Sequence, residues 1–179
     1  QVLHLTRKNS YVGPAWYSKE VDIPSGWKEK AIELKLERVI WQTSVWVDGK
    51  QVEGMQESLV APHLYDLTEH LTPGKHKITI RVDNRKRYDI TAGDMAHAYT
   101  NQTQIMWNGI IGEIALTAKD AVSIRNLQAY PDYKNKQVKV KCLVNNTGAA
   151  TSGSLNADIR TATDPVIQVQ QHVTLQPGE

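Results

Sequence analysis

The feature that most constrains this chain is a hydrophobic period of two residues that recurs along most of its length. In residues 32–36, three aliphatic side chains alternate with charged ones, and in residues 78–82 three aliphatic side chains alternate with Thr79 and Arg81. Successive side chains of a β-strand point to opposite faces, so this period predicts strands with one buried face. Only residues 66–71, DLTEHL, resemble a helical turn. The chain is therefore predicted to be all-β.

One hairpin can be placed from its turn residues. Val45 and Val47 point to one face of a predicted strand, and Trp46 points to the other. Asp48 and Gly49 follow directly, and an Asp-Gly pair readily takes the positive φ angles of a tight two-residue turn. We therefore expect the chain to reverse at residues 48–49 and to continue as a second strand.

The composition changes part-way along the chain. All five tryptophans lie before residue 108, and residues 118–121, AKDA, mark the predicted boundary. Regularly spaced turns predict a β-sandwich in residues 1–118. Residues 119–179 hold four predicted strands, fewer than the roughly seven of an immunoglobulin-like sandwich. We therefore expect residues 119–179 to form an incomplete domain.

Charge and composition argue against several classes of protein. The net charge is +2 with 22% charged residues, and the only basic run, residues 85–87, is short and lacks the interleaved aromatic side chains of a nucleic-acid groove. No apolar stretch is long enough to span a membrane. Cys142 is the single cysteine, so it is predicted to be a small buried apolar residue. Neither nucleic acid nor membrane is an expected partner.

Residues 85–108 do not show the strand period. A loop of this length without its own regular structure is usually functional or disordered. The segment contains Tyr88, His97, Tyr99 and Trp107, and such aromatic content is unusual for a disordered segment. The loop is therefore the first candidate for a docking surface.

The end of this loop combines the two kinds of group that bind a sugar. A sugar ring needs a flat aromatic face for its C–H side and in-plane polar groups for its hydroxyls. Trp107 supplies the first, and Gln104 and Asn108 supply the second. The alternative is structural: Trp107 seals the rim of the sandwich, and Asn108 caps a turn beside Gly109.

Metal and cofactor chemistry have little support in the sequence. His97 with Asp94, and His63 with His70, form pairs without a third spaced ligand. Single histidines are more often hydrogen-bonded structural groups. We expect no metal and no cofactor. Trp41 and Trp46 are predicted to pack within the sandwich.

No active site can be identified from the residues alone. Hydrolysis of a glycosidic bond usually takes two carboxylates at a fixed separation. Glu57 and Glu113 are the acids nearest the loop motifs, and nothing in their spacing pairs them.

The order of several motifs resembles a known family. The segments YVGPAWYSKEVDIPSGWKEKAIELKLERV, TSVWVDGKQVEG, LVAPHLYDLTEHLTPGKHKITIRVDN and WNGIIGEIAL resemble the N-terminal sugar-binding domain of glycoside hydrolase family 2. The resemblance covers residues 11–118. It implies a galactose-binding-like jelly-roll sandwich, followed from residue 119 by a partial immunoglobulin-like β-sandwich.

The resemblance also implies a function. In this family the catalytic glutamates lie on a (β/α)₈ barrel, which would follow Glu179, so the present chain would be non-catalytic. Its partners would be a carbohydrate substrate and that barrel, and its location the periplasm or the outside of the cell. The predicted substrate-binding residues are Trp107, Asn108, Gln104 and His97. The acid that precedes the motif tryptophan in the well-known β-galactosidases is absent, because residues 104–106 are Gln-Ile-Met.

Two other classes of function remain open. A free-standing carbohydrate-binding module or lectin would use the same loop. A structural or protein-docking sandwich would use neither Trp107 nor its neighbours for sugar, since one β-sandwich architecture hosts many functions.

Overall fold

The computed structural model of the chain describes residues 11–88, 107–160 and 166–178. The chain divides into two compact units, Gln1–Ala118 and Lys119–Glu179. In the described ranges the regular structure consists of strands and one short 3₁₀ turn, Ser25–Trp27. The strands are β1 (Pro14–Ile23), β2 (Ala31–Val39), β3 (Gln42–Val47), β4 (Lys50–Gln51), β5 (Gln56–Glu57), β6 (His63–Asp66), β7 (Gly74–Asp83), β8 (Ile110–Lys119), β9 (Val122–Asp132), β10 (Gln137–Asn146), β11 (Thr151–Ile159) and β12 (Ile167–Leu175).

The first unit is a sandwich of two sheets. One sheet has the strand order β1-β7-β3-β4, and β5 also pairs with β3; the other has the order β6-β2-β8. Leu34 and Leu36 of the second sheet lie in one buried cluster with Val45 and Val47 of the first. The all-β prediction and the sandwich are confirmed. No helix among the described residues is long and apolar enough to cross a membrane.

The hairpin predicted at residues 48–49 is confirmed. Val47 pairs with Lys50, and Asp48 and Gly49 have φ angles of 50° and 82°. The DLTEHL segment is different: Asp66 ends β6, and a single turn follows in which the Leu71 amide donates to the Leu67 carbonyl at 3.0 Å. Within this segment, the helical pattern produces only that one turn.

The second unit contains two antiparallel hairpins, β9–β10 and β11–β12. Buried Asn146 joins them, because its amide nitrogen donates to the carbonyls of Ala149 at 3.0 Å and Gln176 at 3.3 Å. The prediction of a buried Cys142 is wrong: the side chain is only half-buried. Its β10 neighbours Val138 and Val140 are also exposed, by 37% and 39%, so this face of the hairpin has little cover within the unit.

A buried polar network crosses the interior of the first unit. Thr43 lies on β3 in one sheet, and His63 and Tyr65 lie on β6 in the other. The Thr43 hydroxyl is 2.6 Å from Nδ1 of His63 and 2.8 Å from the Tyr65 hydroxyl. Tyr65 also donates to the Thr43 carbonyl at 2.6 Å. These bonds link the two sheets where most other contacts are apolar.

His63 is held in its neutral form by this environment. The residue is 1% exposed, and burial lowers the pKa of its imidazole, while the backbone of Ser58 offsets part of that effect. Among the buried side-chain polar atoms that the structure describes, only Nε2 of His63 lacks a partner with hydrogen-bond geometry. A proton added at this ring would therefore be poorly solvated.

The stability of the first unit should fall in mild acid because of His63. The unfolded chain binds a proton near the ordinary histidine pKa of 6.5, and the folded chain binds it only at lower pH. Below pH 6.5 the unfolded state thus holds more protons, and the free energy of unfolding drops by up to about 1.4 kcal/mol per pH unit. Urea unfolding of wild type and His63→Asn between pH 7.5 and 5 measures this. An equal slope in the variant would contradict the assignment.

Candidate functional site

The candidate site lies at the end of the first sheet where β3 begins and β7 ends. In the sheet, Gln42 is paired with Asp83 of β7 on one side and with Glu57 of β5 on the other. Strand register therefore places an amide between two carboxylates. We call this region the loop-end cluster; its members are Trp41, Gln42, Glu57, Asp83, Asn84, Arg85, Arg87, Tyr88, Trp107 and Asn108.

Asp83 is the fully buried centre of the cluster. Its carboxylate accepts hydrogen bonds from Nη2 of Arg81 at 2.6 Å and from Nη2 of Arg85 at 2.5 Å, while Nη2 of Arg87 lies 3.8 Å away. The side chain of Asp83 is 0% exposed. Buried carboxylates persist when cations and donors satisfy them, so these arginines fix the chain where it leaves β7.

The two carboxylates of the cluster are both held ionised. The side-chain hydrogen bond from Arg85 lowers the pKa of Asp83 to about 2. The pKa of Glu57 is also lowered, first by the bond from Gln42 and then by side-chain bonds from Trp41 and Tyr88. Arg87 donates to the other end of the Gln42 amide. A general acid for glycoside hydrolysis needs a raised pKa, and neither carboxylate has one.

Asn84 connects three segments of backbone. It is 1% exposed. Its side-chain oxygen accepts from the Gly13 amide at 2.9 Å, and its nitrogen donates to the carbonyls of Tyr11 at 2.9 Å and Trp107 at 3.1 Å. The segments just before β1, just after β7 and just before β8 therefore meet at one amide.

The residues on both sides of segment 89–106 pack beside Trp41 or the pair that it forms with Ile40. Its ring centroid is 6.1 Å from that of Tyr88, with the planes tilted by 59°. Trp107 packs against the buried pair formed by Ile40 and Trp41. The predicted packing role of Trp41 is confirmed, since the residue is 3% exposed. Trp107 is half-buried, and β8 begins three residues later, at Ile110.

The amide of Asn108 is engaged within the protein. Its nitrogen donates to the Gly13 carbonyl at 2.8 Å, and its oxygen accepts from the Tyr17 hydroxyl at 3.4 Å. These bonds fit the structural alternative, and a sugar contact at Asn108 stays a prediction. The other two predicted substrate-binding residues, His97 and Gln104, lie outside the described residues.

The prediction for Trp46 needs correction. Because Val45 and Val47 point into the core, Trp46 points to the outer face of the sheet, where it meets Trp16 with ring centroids 4.9 Å apart. Trp16 is 57% exposed. The pair therefore lies outside the sandwich interior, and the cross-strand neighbour of Trp46 could not be known before the register of β1, β7 and β3.

The structure does not pair Glu57 with Glu113, and the described residues contain no candidate metal cluster. Glu113 of β8 forms an ion pair with Lys35 at 2.9 Å and belongs to the other sheet from Glu57. His63 is bonded to Thr43 as described above. Within residues 11–88, 107–160 and 166–178, no three His, Cys, Asp or Glu side chains are grouped so that they could hold a metal ion.

Comparison with known families accounts for this arrangement. Residues 3–119 match the family model described as "Glycosyl hydrolases family 2, sugar binding domain". The chain belongs to glycosyl hydrolase family 2. The match spans the whole described part of the first unit, including every member of the loop-end cluster.

Solved structures share the fold of this family 2 chain at low identity. A β-glucuronidase 2 from Bacteroides uniformis matches with a TM-score of 0.74 and 20% identity, over 98% of this chain and 21% of its own. A putative β-galactosidase from Bacteroides fragilis gives 0.77 and 19%, over 95% and 26%. A β-glucuronidase from Ruminococcus gnavus gives 0.64 and 17%, over 94% and 29%. The chain thus spans less than a third of the length of these structures.

Sequence reasoning missed the buried carboxylate at the centre of the site. Asp83, Arg85 and Arg87 occur at alternate positions in VDNRKR. That spacing was a usable signal, because alternate residues of an extended chain share a face. Nothing in the sequence showed that Asp83 would be buried, since its burial depends on the pairing with β3.

The ionised state of Asp83 should make the first unit acid-labile in a second pH range. The pKa of this carboxyl is 3.8 in the unfolded chain and about 2 in the folded chain. Its contribution, on the order of 2 kcal/mol, is present above pH 3.8 and is lost as the pH falls towards 2. Thermal unfolding of Asp83→Asn should show a smaller loss of Tm between pH 5 and 2.5 than wild type. The exposed Asp22→Asn is the control, and a loss in Asp83→Asn as large as in wild type would contradict the assignment.

Proposed function

We propose that this chain is the N-terminal, non-catalytic sugar-binding segment of a family 2 glycoside hydrolase that cleaves O-glycosyl bonds. The catalytic (β/α)₈ barrel would lie elsewhere in the same polypeptide. The unit Lys119–Glu179 would be part of an immunoglobulin-like domain between the two. Action in the periplasm or outside the cell stays a prediction.

The comparisons support a longer enzyme. The similar structures are named as β-glucuronidases and a putative β-galactosidase, and this chain spans 21% and 26% of the first two described above. An exo-acting β-glycosidase is therefore the proposed activity of the whole protein. The named relatives make glucuronides and galactosides the first substrates to test.

The observation that carries the non-catalytic role is the state of the two carboxylates in the cluster. Asp83 is buried beneath two arginines, and Glu57 is bonded to Gln42. A glycosidase needs one carboxyl that gives up a proton and a second that attacks the sugar or activates water. A lowered pKa makes each carboxyl a poor proton donor. Oxygens that already accept hydrogen bonds from arginine or glutamine are poorly placed to attack a sugar or activate water.

The proposed task of the loop-end cluster is to position a loop at the substrate cleft. Of the two residues that flank segment 89–106, Tyr88 meets the ring of Trp41, and Trp107 packs against the pair formed by Ile40 and Trp41. A sheet end with buried ion pairs is a rigid support. We propose that the segment contributes His97 and Gln104 to sugar binding, with Trp107 as both an anchor and part of the wall. Asn108 would fix the backbone beside it.

Replacing Trp107 in the full-length enzyme should test this role. Trp107→Leu weakens the packing against Ile40 and Trp41 and so should shift one end of segment 89–106. A displacement of about 1 Å can reduce a rate by roughly 100-fold. We expect kcat/KM for 4-nitrophenyl β-glycosides to fall at least tenfold. Trp27→Leu is the matched control, since Trp27 is also a partly buried tryptophan but packs against the main core.

The comparison is made at equal folded fraction, measured by circular dichroism. Equal losses of kcat/KM in the two variants would show that Trp107 is only a packing residue.

The polypeptide of residues 1–179 should cleave none of these glycosides. Cleavage abolished by Glu57→Gln would overturn the non-catalytic role. The lectin alternative would be favoured if the natural protein has no barrel and the polypeptide of residues 1–179 binds sugar at micromolar concentration.

A further inference from the structure

An apolar groove opens on the side of the first unit away from β4. It has a volume of about 470 Å³ and is lined by residues of β1, β2, β7 and β8, among them Leu34, Ile80, Ile110, Ile114 and Leu116. Its residues come from both sheets, so it lies between the layers of the sandwich. A gap of this kind exposes apolar surface that a finished core would bury.

The groove exists because part of β1 has no cover. Tyr17 and Lys19 are paired with Ile80 and Ile78 of β7, so their side chains share the face that carries the core. Ile80 and Ile78 are 7% and 6% exposed, whereas Tyr17 is 43% exposed. The inner face of β1 thus carries an aromatic ring that remains open to water.

The neighbouring strand of the opposite sheet is also uncovered. Among the described residues, β8 is the edge of its three-stranded sheet, and β1 is the edge of the other sheet. Ile114, on the groove side of β8, is 56% exposed. An edge strand beside exposed apolar side chains is a template for pairing with another strand.

We propose that this groove is the binding site of a further β-strand, which pairs with the edge of β8 and covers β1. The occupant would be an extended segment with apolar side chains at alternate positions, so that one face fills the groove and the other meets solvent. Its source would be the same polypeptide outside residues 1–179. The solved structures that match this chain are three to five times longer.

A strand fits the groove better than a small apolar ligand. The lining runs along both edge strands, from Ile110 to Leu116 on β8 and from Tyr17 to Val21 on β1. A small apolar ligand would fill the groove without bonding the backbone of the edge, whereas an added strand would do both. Two sheets of a sandwich lie about 10 Å apart. A strand paired in plane with β8 would therefore lie opposite β1, at the usual spacing between the two layers.

Amide hydrogen exchange tests this placement without reference to catalysis. Exchange of the β8 backbone, residues 110–119, is compared by mass spectrometry in the polypeptide of residues 1–179 and in the full-length protein. The added strand should slow exchange in β8 at least tenfold in the full-length protein. Exchange in β3, at the centre of the other sheet, serves as the folding control.

Two substitutions on β8 provide a matched pair. Ile114→Asp places a charge in the groove, and Ile111→Asp changes a residue of similar exposure, 49%, that does not line it. In the full-length protein Ile114→Asp should return β8 to the fast exchange of residues 1–179, because an unpaired charge is expelled from an apolar site. Ile111→Asp should leave the slow exchange unchanged.

Several results would overturn the inference. Equal exchange of β8 in the two polypeptides, or equal effects of the two substitutions, would leave the groove without a strand. Loss of protection on deletion of residues 1–10 alone would assign the groove to that segment. Protection of residues 1–179 that depends on protein concentration would assign it to a second copy. The inference rests on the proposed longer polypeptide, and slow exchange in an inactive full-length protein would uphold it while the proposed activity failed.

Discussion

The arrangement of the candidate site depends on one buried indole. Trp41 immediately precedes β3. Its ring meets that of Tyr88, and Trp107 packs against the buried pair that Trp41 forms with Ile40; Tyr88 and Trp107 flank segment 89–106. An aromatic pair such as Trp41–Tyr88 contributes about 0.5–1.5 kcal/mol beyond its buried area. Because Trp41 is joined directly to β3, an inner strand of the sheet, both flanking residues are held beside the core of the unit. Asp83 and Asn84 add charge and hydrogen bonds to the same support.

The same support holds the two carboxylates of the site in their charged forms. Gln42 stands between Asp83 and Glu57 in the strand register, and the arginines and amides that surround the two carboxylates stabilise their charged forms. Such a network holds backbone in place, and it makes protonation of either carboxylate costly at neutral pH. These features are consistent with the proposed role of the unit as a support for segment 89–106.

The strands of the sandwich could be predicted because their signal is local. Val45 and Val47 face the core as their spacing indicates, and Asp48 with Gly49 makes the turn that these residue types favour. Contacts between distant strands could not be predicted, since they depend on register. The partners of Asp83, the Trp16–Trp46 pair and the link from Asn84 to Gly13 all join residues brought together only by pairing. Cys142 was misjudged for a related reason: its alternation is that of a buried strand, but its hairpin has little to pack against within its unit.

A double-mutant cycle between Trp41 and Trp107 tests the central claim most directly. Unfolding free energies are measured for wild type, Trp41→Leu, Trp107→Leu and the double variant, by urea denaturation of the same polypeptide. If Trp41 anchors the chain at Trp107, the two substitutions will be non-additive, with a coupling energy of at least about 0.5 kcal/mol. A coupling energy of zero within error would show that the two side chains act independently, and the account of segment 89–106 as anchored at Trp41 would be wrong.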